Sequence, residues 1–247
     1  MKRMLSVSLV GLIMVGLMLP ACSKGSADII VATDATWAPF ESVNEQTKQV
    51  EGFDIDLMNA IAAKEGLKIQ FKNVGFDPLL AGMAQGTYDA AISSITITAD
   101  RAAQMSFSDP YFNAGQVVVV RKDNTTITSK DNLGGKKVGA QLGTTGAIEV
   151  GKITGATLKT YDDIGLAYQD LMNGQIDAVV ADNPVALLYV SQNSAKLKTA
   201  GSTFTSEFYG IAVNKNKSDL LAKINAGLAA VKAEGLIDQL TLKWWPK

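Results

Sequence analysis

Apolar residues along the chain follow two periods in turn. Short β-branched and apolar runs, typical of buried strands, alternate with stretches whose apolar residues recur every three or four positions, as on one face of a helix. The predicted strands cover residues 28–33, 67–74, 89–95, 136–141, 156–161 and 177–181. The predicted helices cover residues 53–65, 77–85, 144–152, 164–173, 184–192, 218–234 and 236–245. This alternation indicates an α/β fold of mostly parallel sheets with helices on both faces.

One segment of the chain resembles another segment 88 residues further on. In residues 84–92 and again in 172–180, a helix ends at a glycine, Gly86 or Gly174, and an aspartate opens the next strand. A generic helix-to-strand turn would look similar, and that alternative stays open. Read as a repeat, the pattern predicts two lobes of related design. Because open α/β sheets bind ligands beyond the carboxyl ends of their strands, Ser94 and Asp182 would then face a common cleft.

Two further runs, 116–121 and 208–213, have the composition of strands that connect the lobes. Placing the crossovers there assigns residues 27–117 plus 211–247 to lobe 1 and residues 118–210 to lobe 2. The C-terminal helices would return to lobe 1.

The composition excludes several classes of chemistry. The chain has 23 Lys+Arg against 24 Asp+Glu, a net charge of −1, which gives no electrostatic reason to expect a nucleic-acid partner. Its 247 residues contain no His, so a Ser-His-Asp or Cys-His nucleophile and imidazole metal ligands are excluded. A lone Cys excludes a disulfide framework or a thiolate cluster. We therefore expect no metal and no cofactor.

The N-terminus has the pattern of an export signal. Lys2 and Arg3 precede residues 4–19, a stretch that carries no charge and is short for spanning a membrane. The run ends Leu-Pro-Ala-Cys, which resembles a bacterial lipoprotein box. We expect a signal peptide at residues 1–21, lipidation of Cys22 and a tether at residues 22–26, so that the protein is periplasmic or at the cell surface. An ordinary signal with an incidental Cys is the alternative.

Three features suit the two charged ends of a small zwitterion. Arg101 lies in the first turn of a helix that Thr98 can cap, where the helix dipole disfavours a cation. A guanidinium there could hold a carboxylate by two parallel hydrogen bonds, or it could pair with a surface acid. Residues 143–146, Gly-Thr-Thr-Gly, open a helix and could bind an anion, or could form an ordinary capped turn. Asp182 ends an apolar strand and could meet an ammonium, or could cap the next helix.

Aromatic residues and another acid follow the first strand. Trp37 and Phe40, with Phe53 behind them, could form a wall of the cleft, although core packing is the commoner fate of Phe. Asp34 could reach the side chain of a ligand, or could cap a loop.

These segments, in this order, resemble the polar amino-acid-binding proteins of bacterial ABC importers, the family 3 extracellular solute-binding proteins. The resemblance covers essentially the whole mature chain. The segments that carry it are Thr33–Phe40, Gly52–Leu57, Asp89–Arg101, Phe107–Tyr111, Gly143–Gly146 and Ala181–Asn183. The resemblance implies the type II periplasmic binding-protein fold, in which two α/β lobes joined by two crossover strands close on a ligand.

The resemblance also implies a role for each candidate residue. Arg101 matches the clamp on the ligand carboxylate and Asp182 matches the partner of its ammonium. The remaining matches are Thr96 and Ser94 near the charged groups, Thr145 as a carboxylate donor, Asp34, Ser93 and Gln141 as readers of the side chain, and Trp37 and Phe53 as an aromatic sandwich.

The implied ligand is a free polar L-amino acid, delivered to a permease in the cytoplasmic membrane by a monomeric receptor. Asp34 with two aromatic rings suits a cationic side chain, so we expect Arg, Lys or His. A glutamine receptor of the same type is the alternative. A cyclohexadienyl-dehydratase-like enzyme and a sensory domain on the same fold are minor alternatives, and we expect no enzymatic activity.

Overall fold

The computed structural model describes residues 28–245. The expected signal peptide, Cys22 and the tether lie outside that range. Within it, no helix combines the length and the apolar character needed to cross a bilayer.

Fifteen strands and eight α-helices are assigned in the described range, together with a 3-10 turn at Lys130–Asn132. The strands are β1 (Ile29–Thr33), β2 (Thr36–Trp37), β3 (Glu41–Val43), β4 (Val50–Glu51), β5 (Ile69–Asn73), β6 (Ala90–Ala91), β7 (Ser106–Phe107), β8 (Phe112–Ala114), β9 (Gln116–Arg121), β10 (Lys137–Gln141), β11 (Thr157–Tyr161), β12 (Ala178–Asp182), β13 (Leu197–Ala200), β14 (Glu207–Tyr209) and β15 (Ala212–Val213). The helices are α1 (Phe53–Glu65), α2 (Phe76–Gln85), α3 (Ala99–Ala102), α4 (Thr145–Gly151), α5 (Ile164–Met172), α6 (Asn183–Gln192), α7 (Ser218–Ala233) and α8 (Leu236–Trp244).

Two five-stranded sheets have the same plan. The first runs β5-β1-β6-β15-β7 and the second β11-β10-β12-β9-β13. In each sheet, the first three strands in this order are parallel to one another. The fourth strand, β15 or β9, is antiparallel to both of its neighbours. The prediction of two sheet-containing α/β lobes is confirmed, and the fold is that of a type II periplasmic binding protein.

The internal similarity has a structural cause. Gly86 and Gly174 follow helices α2 and α5 with φ of 74° and 71°, a left-handed conformation in which glycine is the least strained residue. Asp89 accepts a hydrogen bond from the N–H of Ile30 at 2.7 Å, and Asp177 accepts one from the N–H of Lys137 at 2.8 Å. Each aspartate thereby ties its strand to the neighbouring central strand of its own sheet.

The chain passes between the sheets near the antiparallel pair β8–β14. The run 116–121, expected as a connection, continues from there into the second sheet as β9, between β12 and β13. The four valines of β9 are almost fully buried, which accounts for the position of this strand inside the sheet and not in a connection between the sheets. Near the other end of the chain, α7 and α8 pack against α1.

Two parts of the first lobe differ from the apolar pattern. The strand expected at 89–95 is only two residues long, Ala90–Ala91, and three residues further on Ser94 has a left-handed φ of 49°. Residues 36–51, too polar and too irregular to predict strands, contain the small sheet β2-β3-β4.

Candidate functional site

A narrow cavity lies between the two lobes, beyond the carboxyl ends of β1, β6, β10 and β12. About 290 Å³ of empty space, mouth included, lies between the side chains that line it. Those residues are Asp34, Trp37, Glu41, Phe76, Ser93, Ser94, Thr96, Arg101, Gln141, Thr144, Thr145 and Asp182. Nine of the ten residues expected at the site therefore meet in one place.

Arg101 enters the cavity from the first lobe. Thr98 caps α3 as expected, accepting from the N–H of Arg101 at 3.2 Å. The guanidinium donates to the carbonyl of Thr96 at 2.8 Å and, across the cleft, to the carbonyl of Gly143 at 2.9 Å. Burial lowers the pKa of Arg101, and the charge of Asp182 opposes that shift. A buried cation with only carbonyl acceptors can take a carboxylate as an additional partner.

Acidic groups lie on the opposite side, where the connecting strands meet the second lobe. Asp182 accepts hydrogen bonds from Gln116 Nε2 and from the hydroxyl of Tyr209. Burial raises the pKa of Asp182 to about 6, and the nearby charge of Glu207 adds to the rise. The side chain of Asp182 does not cap α6. Its carboxylate is thus placed for a cation in the cavity.

Glu207 was missing from the expected site, although it is central to the geometry. Its carboxylate accepts from Thr96 Oγ1 of the first lobe at 2.9 Å and from Thr145 Oγ1 of the second at 2.7 Å. Thr205 donates to its other oxygen at 2.7 Å. A sequence signal existed, because strand alternation puts Glu207 and Tyr209 on the same face of β14.

Asp34 and Gln141 meet across the far part of the cleft. Gln141 Nε2 donates to Asp34 Oδ2 at 2.7 Å and to the carbonyl of Asp162 at 2.9 Å. Thr36 donates to the other oxygen of Asp34 at 3.0 Å. Burial raises the pKa of Asp34 to about 6, although both hydrogen bonds oppose the rise.

The structure corrects one expected placement. Phe53 does not line the cavity: it is fully buried in an aromatic cluster with Phe40, Phe112 and Trp245, at centroid distances of 5.7–5.8 Å. As the first residue of α1, it points into the core of the first lobe. Phe76, the first residue of α2, lines the cavity with Trp37 instead, and its ring centroid lies 5.4 Å from the Arg101 guanidinium carbon.

Small hydroxyl residues complete the walls. Ser93 Oγ accepts from the N–H of Asp34 at 2.9 Å. Ser94 Oγ is buried and has no hydrogen-bond partner among residues 28–245. Thr96 and Thr145 approach each other across the cleft at 3.5 Å. Thr144 caps α4 by accepting from the N–H of Ala147 at 3.2 Å, so residues 143–146 form the capped turn that was one of the two alternatives for this segment.

The charges of the cavity do not balance internally. Among the described residues that line it, Arg101 is the one cation, against Asp34 and Asp182, and Glu207 stands directly behind. In surroundings of low polarity, each unbalanced charge interacts more strongly with any charge that is brought near it. A ligand with one anionic group and more than one cationic group suits this arrangement best.

Comparisons with known proteins agree with the geometry. A probable histidine-binding protein of Neisseria gonorrhoeae is 38% identical over 233 residues, which are 92% of this chain and 86% of that protein. An ancestral arginine-binding protein bound to arginine has a TM-score of 0.84 and 46% identity, covering 88% of this chain and 98% of that one. The arginine-, lysine-, histidine-binding protein ArtJ of Geobacillus stearothermophilus has a TM-score of 0.84 and 38% identity, covering 90% of this chain and 96% of that one. Residues 29–247 match the family model, and the chain belongs to the bacterial extracellular solute-binding proteins, family 3.

Proposed function

We propose that this protein is the extracytoplasmic receptor of an amino-acid ABC importer, and that it binds a free basic L-amino acid and delivers it to a membrane permease. The observation that carries the proposal is the cavity between the lobes, where one buried arginine faces a group of buried acids. The receptor would act as a monomer.

The ligand would span the cavity from one lobe to the other. Its carboxylate would meet the Arg101 fork, and its ammonium would meet Asp182 and Glu207. The hydroxyls of Ser94, Thr96 and Thr145 would supply further hydrogen bonds at this end. Charge-assisted hydrogen bonds of this kind are about twice as strong as those between neutral groups, and a cavity that excludes water preserves that strength.

The side chain of the ligand would extend toward Asp34 and Gln141. Asp34 would pair with its charge, while the Trp37 and Phe76 rings would pack on its stem and face its cation. Ser93 would support this end by holding the backbone of Asp34. A basic side chain supplies the second positive charge that the excess of acids calls for.

Closure would join the lobes through contacts already present across the cleft. Arg101 donates to Gly143 of the second lobe, and Gln141 donates to Asp34 of the first. A ligand that engages Arg101 and Asp182 together would favour the closed arrangement over any open one by its differential affinity. The proposed lobes are residues 27–117 plus 211–247 and residues 118–210.

Glutamine is the second candidate, for a specific reason. The ancestral arginine-binding protein has also been solved bound to glutamine, at 46% identity and a TM-score of 0.84. Asp34 could accept a hydrogen bond from a neutral amide as well. The enzymatic alternative is set aside, because the family and the relatives above are binding proteins.

Export and anchoring are proposed from the N-terminal sequence. The basic start, the uncharged run 4–19 and the sole Cys of the chain support a signal peptide at 1–21, lipid on Cys22 and a tether at 22–26. We expect labelled palmitate to enter the wild-type protein and to be absent from Cys22→Ser. A wild-type protein without label, or equal labelling of Cys22→Ser, would contradict the anchor.

Calorimetric titration with matched pairs of ligands tests the proposed specificity. Citrulline copies the shape of arginine without its charge, and norleucine keeps the four-carbon stem of lysine without its ammonium group. We expect arginine and lysine to bind at least tenfold more tightly than their neutral counterparts. Tighter binding of glutamine than of arginine, lysine and histidine would assign the protein to the second candidate.

A further inference from the structure

Two buried acids lie next to each other at one wall of the cavity. Glu41, the first residue of β3, lines the cavity. Asp54, the second residue of α1, is held beside it, because its N–H donates to the carbonyl of Phe40 at 2.9 Å. Both residues are fully buried. Neither takes part in an ion pair within residues 28–245. Two neighbouring carboxylates without a cation cannot both stay ionised in such surroundings.

The hydrogen bonds leave one oxygen of each acid without a donor. Glu41 Oε1 accepts from Ser93 Oγ at 3.2 Å. Asp54 Oδ2 accepts from the N–H of Ser94 at 2.8 Å and from the Tyr111 hydroxyl at 2.7 Å. Glu41 Oε2 and Asp54 Oδ1 are buried and have no partner among the described groups. A single proton between the two side chains would satisfy both oxygens at once.

We propose that Glu41 and Asp54 form one hydrogen-bonded carboxyl pair that shares a single proton and positions the Ser93-Ser94 turn on the wall of the cavity. The hydroxyl of the neutral acid donates to the ionised one, so the pair carries one negative charge instead of two.

The turn needs such support. Ser94 has φ 49°, a left-handed conformation that costs energy in any residue with a Cβ. Asp54 holds the N–H of Ser94, while Ser93 links Glu41 to the backbone of Asp34. The pair thereby fixes Ser93, Ser94 and Asp34, which face the ligand position. Asp54 itself does not line the cavity.

The titratable groups that act on the pair are acids and phenols. Asp34 adds like charge to Glu41, and the hydroxyls of Tyr111 and Tyr209 face the same region. Burial raises the pKa of Glu41 well above its ordinary value, and the negative charge of Asp54 adds to the rise. The folded protein therefore keeps a proton that the unfolded chain loses above about pH 4.5. Folding becomes less favourable as the pH rises from that value toward the raised pKa of the folded pair.

Glu41→Gln tests the shared proton without any ligand. Its amide donates to Asp54 permanently, so this variant no longer depends on that proton. Glu51→Gln is the control, because it makes the same replacement in the same small sheet, at a half-buried position where Glu51 accepts from Asn44. Relative to wild type, the folded-to-unfolded ratio of Glu41→Gln should rise by up to about tenfold per pH unit above pH 5. The ratio for Glu51→Gln should stay within about twofold.

An infrared spectrum gives a second readout. At pH 7.5 the wild-type protein should show the carbonyl band of a buried protonated carboxyl group, shifted in D₂O and missing from Glu41→Gln. The shared proton is refuted if the wild-type protein lacks this band. It is also refuted if the stability difference between wild type and Glu41→Gln does not vary from pH 5 to pH 8.

Ligand affinity tests the positioning role. Asp54 does not line the cavity, and Asp54→Asn keeps both the acceptor for the Ser94 N–H and a donor to Glu41, so it should bind within about threefold of wild type. Asp54→Ala loses both groups and should bind at least tenfold more weakly. Equal loss in both variants would show that the carboxyl pair does not position the turn. Because the stability and infrared measurements need no ligand, they stay informative even if the proposed ligand class is wrong.

Discussion

Replacing Arg101 removes the cation on which the proposed carboxylate contact depends. Arg101 is 7% exposed, and its guanidinium donates to one carbonyl in each lobe, at 2.8 and 2.9 Å. Without it, a bound carboxylate would remain buried beside Asp182 and Glu207 with no counter-charge. Truncating one side of such a buried charge pair costs about 2–5 kcal/mol. At about 1.4 kcal/mol per tenfold, Arg101→Ala should weaken binding by roughly 30- to 4,000-fold.

Stability should change far less than affinity. The two lost hydrogen bonds are worth about 0.5–1.5 kcal/mol each, and release of a desolvated cation offsets part of that loss. We therefore expect the melting temperature of the ligand-free protein to fall by less than about 8 °C. Arg101→Lys keeps the charge without the planar fork, so its affinity should lie between the wild type and the Ala variant.

The assay is calorimetric titration with arginine, accompanied by circular dichroism of each variant. Arg121→Ala is the matched control, since Arg121 pairs with Asp123 on the surface at 3.5 Å and does not line the cavity. The control should bind within about twofold of wild type. A folded Arg101→Ala protein that binds arginine within threefold of wild type would refute the clamp.

Four further outcomes follow from the site and the core beside it. In calorimetric titrations, Asp34→Asn should lower the affinity for arginine at least tenfold and change the affinity for citrulline by less than threefold. Equal losses of affinity for the two ligands would show that Asp34 does not recognise the charge of the side chain. Because burial raises the pKa values of Asp34 and Asp182 to about 6, the affinity for arginine should rise with pH up to about 6 and then level off. The contribution of these two acids to ligand-free stability should instead fall from about pH 4 to 6, since the folded protein holds protons that the unfolded chain releases; denaturant melts across this range would show the opposite trend if the raised values were wrong. Phe53→Ala and Trp37→Ala should each destabilise the fold by about 3–5 kcal/mol in urea, as expected for buried rings, and Trp37→Ala should in addition lower the affinity for arginine, because its ring lines the cavity.

Much of the fold could be predicted because its signals are local. Strand and helix periods, and the glycine and aspartate at each helix-to-strand turn, depend on a few neighbouring residues. The repeat also predicted where Ser94 and Asp182 would lie, since equivalent strand ends in two related sheets face one cleft. Arg101 was predictable because a cation in a first helical turn is locally unfavourable.

Other features depend on packing between distant segments. Phe53 and Phe76 both open helices, and nothing local shows which ring points into the core and which into the cavity. Glu207 reaches the site only because β14 pairs with β8 at the junction of the lobes. The small sheet at residues 36–51 forms against the rest of the first lobe rather than from its own pattern.

The most direct test of the central claim compares arginine with analogues that each lack one charged end. Agmatine lacks the carboxylate and 5-guanidinopentanoate lacks the ammonium, while both keep the guanidinium. If both lobes hold a zwitterion through Arg101 and Asp182, calorimetry should show that each analogue binds roughly 30-fold or more weakly than arginine. Binding of either analogue within threefold of arginine would contradict the account.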